Sequence, residues 1–162
     1  PILGMSTGVF LTGVLLLRIC DPDFESPVLA NYSLSYTMNS IQIADETFLC
    51  ADPVDIGAAV ADQRNWRRWW PDLQLTVIED RGPAGQRWTV TGALTGTMEV
   101  WLEAVMDGAV LHYFLHAEPA GGAAGMDLAA LTHQRRVAGK RMSFEIKNEL
   151  EAGRPVGSAP TH

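Results

Sequence analysis

Apolar and polar positions alternate with period two in several short segments between residues 41 and 118, and a long run of helical spacing follows from residue 126. Residues 41–50 read as a strand ended by Ala51-Asp52-Pro53, with Asp52 suited to cap a helix and Pro53 to its first turn. Val54, Ile56, Val60 and Ala61 then predict a short helix. Residues 65–71 predict a second short helix or turn, stopped by Pro71. Residues 73–78 read as a strand and 81–85 as a turn, after which Trp88, Val90 and Leu94 mark a further strand with Gly92 and Gly96 permitting bends. From residue 126 to about 152 the spacing turns helical: Leu128, Leu131, Ala138, Met142, Ile146 and Leu150 form one stripe that must face the sheet. Arg135, Gly139 and Glu149 share that stripe, whereas Arg136, Lys140 and Lys147 lie opposite, as a solvated basic face.

The clearest hairpin spans residues 97–118, and Asp107-Gly108 is its expected two-residue turn. Pairing Met106 with Ala109 then puts Leu102 opposite Tyr113, Val100 opposite Leu115 and Met98 opposite Ala117 on a greasy face. On the other face the same register places Glu103 with His112, Trp101 with Phe114 and Glu99 with His116.

Residues 1–37 differ from the rest. Gly8 to Leu17 is an apolar run with no basic residue before it and no small-residue cleavage pattern after it, and it is too short to span a bilayer. The expected division is an N-terminal extension over 1–37, accessory or a start-site artefact, then a domain over 38–152 and a flexible tail over 153–162. Tyr32, Leu34, Tyr36 and Met38 alternate with polar residues, so the extension is also a candidate edge strand.

At 162 residues the chain is long enough to bury a core without disulfides or metals. Its 12 basic and 19 acidic residues give a net charge of -7, which opposes nucleic-acid binding. Cys20 and Cys50 lie far apart with no CxxC and no His at ligand spacing, so no metal or other cofactor is expected and a cytoplasmic setting fits best. There is no Ser-His-Asp order, phosphate loop or nucleotide fingerprint.

Ala51-Asp52-Pro53 after the first strand, the tryptophan-proline segment at 65–73, Leu94-Thr95-Gly96 entering the hairpin and the long final helix together resemble the START-like helix-grip superfamily, SRPBCC, and within it the polyketide cyclase/dehydrase-like proteins. The resemblance covers about residues 38–152. It implies an α+β fold in which a curved antiparallel sheet wraps around a long C-terminal helix, with two short helices after the first strand and a cavity for a lipid, polyketide or other hydrophobic ligand. Some members of the family catalyse ring closure or dehydration, and many only bind. The sheet here is shorter than the family's full one, with about four strands instead of six after the small helices. That leaves the cavity small or open on one side, or its edge covered by residues 1–37 or a second copy.

Candidate ligand-binding residues are Trp66, Trp69, Trp70, Trp88, Tyr113, Arg135, Gly139 and Met142. Three tryptophans within 66–70 each bring an indole N–H that needs a partner, so at least one is expected at a cavity or its mouth. A guanidinium on an apolar stripe costs free energy unless paired. For Arg135 the partner is either a ligand carboxylate or enolate, or water or Glu149 with the stem lying over apolar surface. Gly139 either makes room for a ligand or lets helix and sheet pack closely. Candidate acid/base residues are Glu99 with His116 and Glu103 with His112, because a carboxylate beside an imidazole keeps a proton mobile near neutral pH. If the greasy face meets the helix, these pairs sit on the convex side, and Trp101 with Phe114 becomes a candidate homodimer surface. The leading expectation is binding of a small hydrophobic ligand, with a cyclase/dehydrase-type enzyme and a protein-interaction module as alternatives.

Overall fold

The structure, a computed structural model, describes residues 39–155 and Ser158. The proposed extension over 1–37 with its candidate edge strand lies outside the described residues, as does most of the tail.

Strand β1 (Ile41–Leu49) leads into helix α1 (Pro53–Ala61), whose cap is the Asp52 carboxylate accepting from the Val54 N–H at 2.8 Å. Asp62 ends α1 and caps helix α2 (Gln63–Trp69) in turn. Four strands follow, β2 (Leu73–Asp80), β3 (Gly85–Gly92), β4 (Leu94–Val105) and β5 (Gly108–Pro119), and then helix α3 (Leu128–Leu150). The sheet is antiparallel in the order β1-β5-β4-β3-β2, so β1 and β2 are its edges. This is the helix-grip arrangement, with four strands after the small helices as expected.

Two local expectations are corrected. Leu94 does not continue the strand of Trp88 and Val90. The chain reverses at Gly92 and Ala93, and the Ala93 N–H donates to the Asp72 carbonyl at 3.0 Å. The second hairpin turns on Met106 and Asp107, with Met106 at φ +53°, so Gly108 is already paired, opposite Val105. Gly108 is needed in the strand because a Cβ there would lie 2.1 Å from the Leu49 carbonyl oxygen. The register is therefore displaced by two residues: Val100 faces Tyr113, Met98 faces Leu115, Trp101 faces His112 and Glu99 faces Phe114. A displacement of two keeps every side chain on its expected face, because strand side chains repeat with period two.

The greasy face meets α3. Trp88, Met98, Val100, Leu111, Tyr113 and Leu115 are buried there, together with Met142 and Ile146 from the helix. Each such side chain removed from water contributes about 2 kcal/mol. The helix stripe is Arg135, Gly139, Met142, Ser143 and Ile146; Glu149, expected on it, is exposed. Lys140 and Lys147 are not on a solvated face. The Lys140 Nζ donates to the Glu46 carbonyl at 2.6 Å and sits 2.6 Å from an Asp45 carboxylate oxygen, and the Lys147 Nζ donates to the Phe48 carbonyl at 3.0 Å. Their stems reach back over the helix to the outer edge of β1.

At Gly139 the helix leaves room for a ring of the sheet, since a Cβ there would lie 2.4 Å from Tyr113 Cε1. Gly139→Ala is expected to destabilise the fold by about 1–3 kcal/mol through overpacking, against the gain of about 1 kcal/mol that alanine gives an exposed helix. Urea unfolding of the two proteins measures it, and an unchanged or raised midpoint would show that Tyr113 gives way freely.

Candidate functional site

The end of α2 and the Pro71-Asp72 link into β2 form one wall of a groove, and α3 forms the other. The Trp70 N–H closes α2 on the Trp66 carbonyl at 2.8 Å, and Pro71 prevents a further turn. Trp69 is thereby turned toward α3, where its indole N–H donates to a Glu145 carboxylate oxygen at 3.1 Å and Arg68 pairs with the other oxygen of the same group. The groove encloses about 500 Å³, with Trp69, Pro71, Val137 and Ala138 as apolar surface and His133 and Arg141 as basic neighbours.

Arg135 lines this groove and is buried, with 7% exposure. Its guanidinium is held bidentately by the Asp72 carboxylate, with Nη1 to Oδ1 at 2.9 Å and Nη2 to Oδ2 at 2.5 Å. The partner is thus an acid of the chain itself, not Glu149. This hydrogen bonding holds the Asp72 carboxyl below its ordinary value despite some desolvation. Asp72 remains half-exposed, and the Arg135 Nε has no hydrogen-bond partner.

Trp66, Trp70, Trp88, Tyr113, Gly139 and Met142 come together behind the groove, where they pack on one another. Trp66 meets Trp88 edge-on with ring centroids 5.6 Å apart, and Trp70 stacks on Tyr113 at 6.1 Å. Trp70, Trp88, Tyr113 and Met142 are fully buried, with no more than 2% of any of them exposed. The expectation of a hollow bounded by these side chains is corrected: aromatic rings fill the space between sheet and helix, and Gly139 admits the Tyr113 ring. The indole N–H of Trp66 donates to the Val60 carbonyl at 2.7 Å and that of Trp70 lies against the Tyr113 hydroxyl, whereas that of Trp88 is buried without a partner among the described residues. The Tyr113 hydroxyl donates to the Met98 sulfur at 3.4 Å and lies beside the Trp70 indole N–H, and burial pushes its pKa far above the ordinary tyrosine value.

The acid/base candidates lie on the convex face. His112 sits between two carboxylates, with Nδ1 3.3 Å from Glu46 and Nε2 3.2 Å from Glu103. Trp101 stacks on it at 4.5 Å. The expected Glu99–His116 pair is not formed, because the register brings Glu99 to Phe114, and Glu99 is held instead by the Arg81 guanidinium at 2.6 Å. His116 is exposed between Gln42 and Thr97. Among the described residues no cluster of three or more His, Cys, Asp or Glu is placed to hold a metal, and no helix is long and apolar enough to cross a membrane.

Sequence reasoning singled out Trp69 and Arg135 but missed Asp72, Val137 and Arg141. Asp72 carries a weak signal, an acid directly after the tryptophan-proline stop; nothing local ties it to a helix 63 residues away.

Among solved structures, the Aha1 dimer from Colwellia psychrerythraea is similar at a TM-score of 0.52 and 14% identity, over 71% of this chain and 99% of that one. A polyketide-cyclase-like protein from Corynebacterium glutamicum is similar at a TM-score of 0.49 and 16% identity, over 72% of this chain and 96% of that one. No protein-family model matches the chain, and no curated protein matches its sequence. The likeness shows the fold, the helix-grip fold that the sequence resembles.

Replacing Asp72 with Asn leaves Arg135 without its counter-charge and is expected to cost roughly 1–3 kcal/mol at neutral pH. The folded-state pKa of Asp72 lies below its ordinary 3.8, so the stabilisation is present above that value and is lost as pH falls through the depressed one. Urea unfolding of both proteins between neutral and strongly acid pH should show the two stabilities converging at the acid end; a constant difference would show that charge pairing is not its source.

Proposed function

We propose that this chain binds a small hydrophobic ligand carrying an acidic group, and that the ligand lies in the groove between Trp69–Pro71 and the 133–141 face of α3. The observation that carries this reading is Arg135, a buried guanidinium at an apolar groove whose only acid, Asp72, is half-exposed. Its desolvation cost is already met in the fold, so a ligand carboxylate or enolate that displaces or supplements Asp72 gains a charge-assisted, geometrically matched contact. Arg141 and His133 tilt the charge of the groove toward cations. A volume of about 500 Å³ suits a small molecule. Trp70, Trp88, Tyr113 and Met142 serve in this reading as the packed floor that fixes the position of α3. The buried free thiol of Cys50 favours a cytoplasmic setting as part of the proposal. A cyclase-type reaction through Glu103 and His112 would run on the convex face, away from this groove.

Titration with 1-anilinonaphthalene-8-sulfonate, an apolar probe with an acidic group, tests the reading. Val137→Asp and Arg141→Glu both change exposed positions, and each is expected to weaken binding about tenfold or more. Equal affinity in the parent protein and both variants would place the probe elsewhere and remove the groove as the site.

A further inference from the structure

The two edges of the sheet are treated differently. The outer side of β1 is blunted by Lys140 and Lys147, which occupy the carbonyls of Glu46 and Phe48. Among the described residues no strand or lysine covers the outer side of β2. Within β2 the usual deterrents to edge pairing stand only at the far end, where a bulge follows Val77 and Glu79 and Asp80 bring charge. Residues 73–77, Leu-Gln-Leu-Thr-Val, contain no charge, proline or bulge, which is the composition of a strand open to a partner.

We infer that β2 pairs with β2 of a second copy of this chain, antiparallel and with Leu75 on the two-fold axis. An isologous contact requires a surface that complements itself, and this segment does so in one register. Leu73 meets Val77 of the other copy, Gln74 meets Thr76, and Leu75 meets Leu75. The odd positions share the face of Trp88 and Val90, so the apolar pairs continue the core of each sheet while the Gln–Thr pairs stay on the outer face. The charges agree with this register. Arg67 lines a groove of about 490 Å³ with Leu73 and Leu75, and it makes no ion pair among the described residues. The two-fold brings Glu79 and Asp80 of the second copy toward that end of the strand. The bulge after Val77 then limits the ladder to residues 73–77 on each side. This inference is independent of the ligand reading and uses no residue of that groove.

Sedimentation velocity on the full chain over a concentration series tests it with two variants altered only at exposed positions. Gln74→Lys with Thr76→Lys sets lysine opposite lysine twice across the two-fold, and the dimer is expected to weaken about tenfold or more. Gln74→Lys with Thr76→Glu sets lysine opposite glutamate at the same places and is expected to restore dimerisation to at least the parent level. Circular dichroism of each variant confirms that the protomer is folded. Equal dimerisation by the two variants would overturn the register, since only this pairing distinguishes them. A monomeric parent chain would overturn the dimer itself; protection of the outward-facing Leu75 and Val77 amides from hydrogen exchange in that monomer would assign the edge to another part of the same chain.

Discussion

The Tyr113 ring lies against the bare backbone of Gly139, leaving no room for a side chain between helix and sheet at that point. Much of the rest follows from that contact. With α3 this close, Trp70 stacks on Tyr113, Met142 and Ile146 fall into the sheet, and the interior closes around rings. Arg135, one turn earlier on the same stripe, is carried to the rim of the packed region, where Asp72 can reach it. The groove lined by Trp69, Arg135 and Arg141 lies at the seam between the two layers.

The sheet's shortness has a second effect. A full helix-grip sheet places further strands between the small helices and the final hairpins, whereas here β2 follows α2 directly and is itself an edge. The same element supplies Asp72 at its start, an apolar unpaired segment in its middle and two acids at its end. One edge of β2 pairs with β3, and among the described residues no strand covers the other. At the opposite edge, backbone groups of β1 are occupied by lysines from α3, so the helix both covers the core and seals that margin.

Much of this architecture was legible in the sequence because it depends on local periodicity. The Asp52 cap, the Pro71 stop, the strand faces and most of the α3 stripe are short-range features, and they stand where the pattern places them. Even the misread turn did little damage, because pairing through Gly108 displaced the register by an even number and left each face intact. What pattern could not supply were distances between remote segments. Whether Tyr113 and Gly139 enclose space or remove it depends on tenths of an ångström, and both outcomes use the same residues. Asp72 was invisible as Arg135's partner for the same reason, and so was the reach of Lys140 and Lys147 back to β1, which a helical wheel assigns to the wrong side. Glu99 and His116 failed to meet because opposition on a strand is sensitive to a two-residue slip that facing is not.

The indole of Trp88 keeps its nitrogen in a dry interior with no acceptor among the described residues. A donor left unanswered there costs about 1–3 kcal/mol, so a ring of equal bulk without the nitrogen would hold the same shape more firmly. Rigidity alone does not account for such a group in the same core as a phenol whose acceptor is a thioether. The interior is thus chemically richer than a grease plug: it is a tightly shut space already furnished with hydrogen-bond donors, and any fluctuation that parts the helix from the sheet would expose them together.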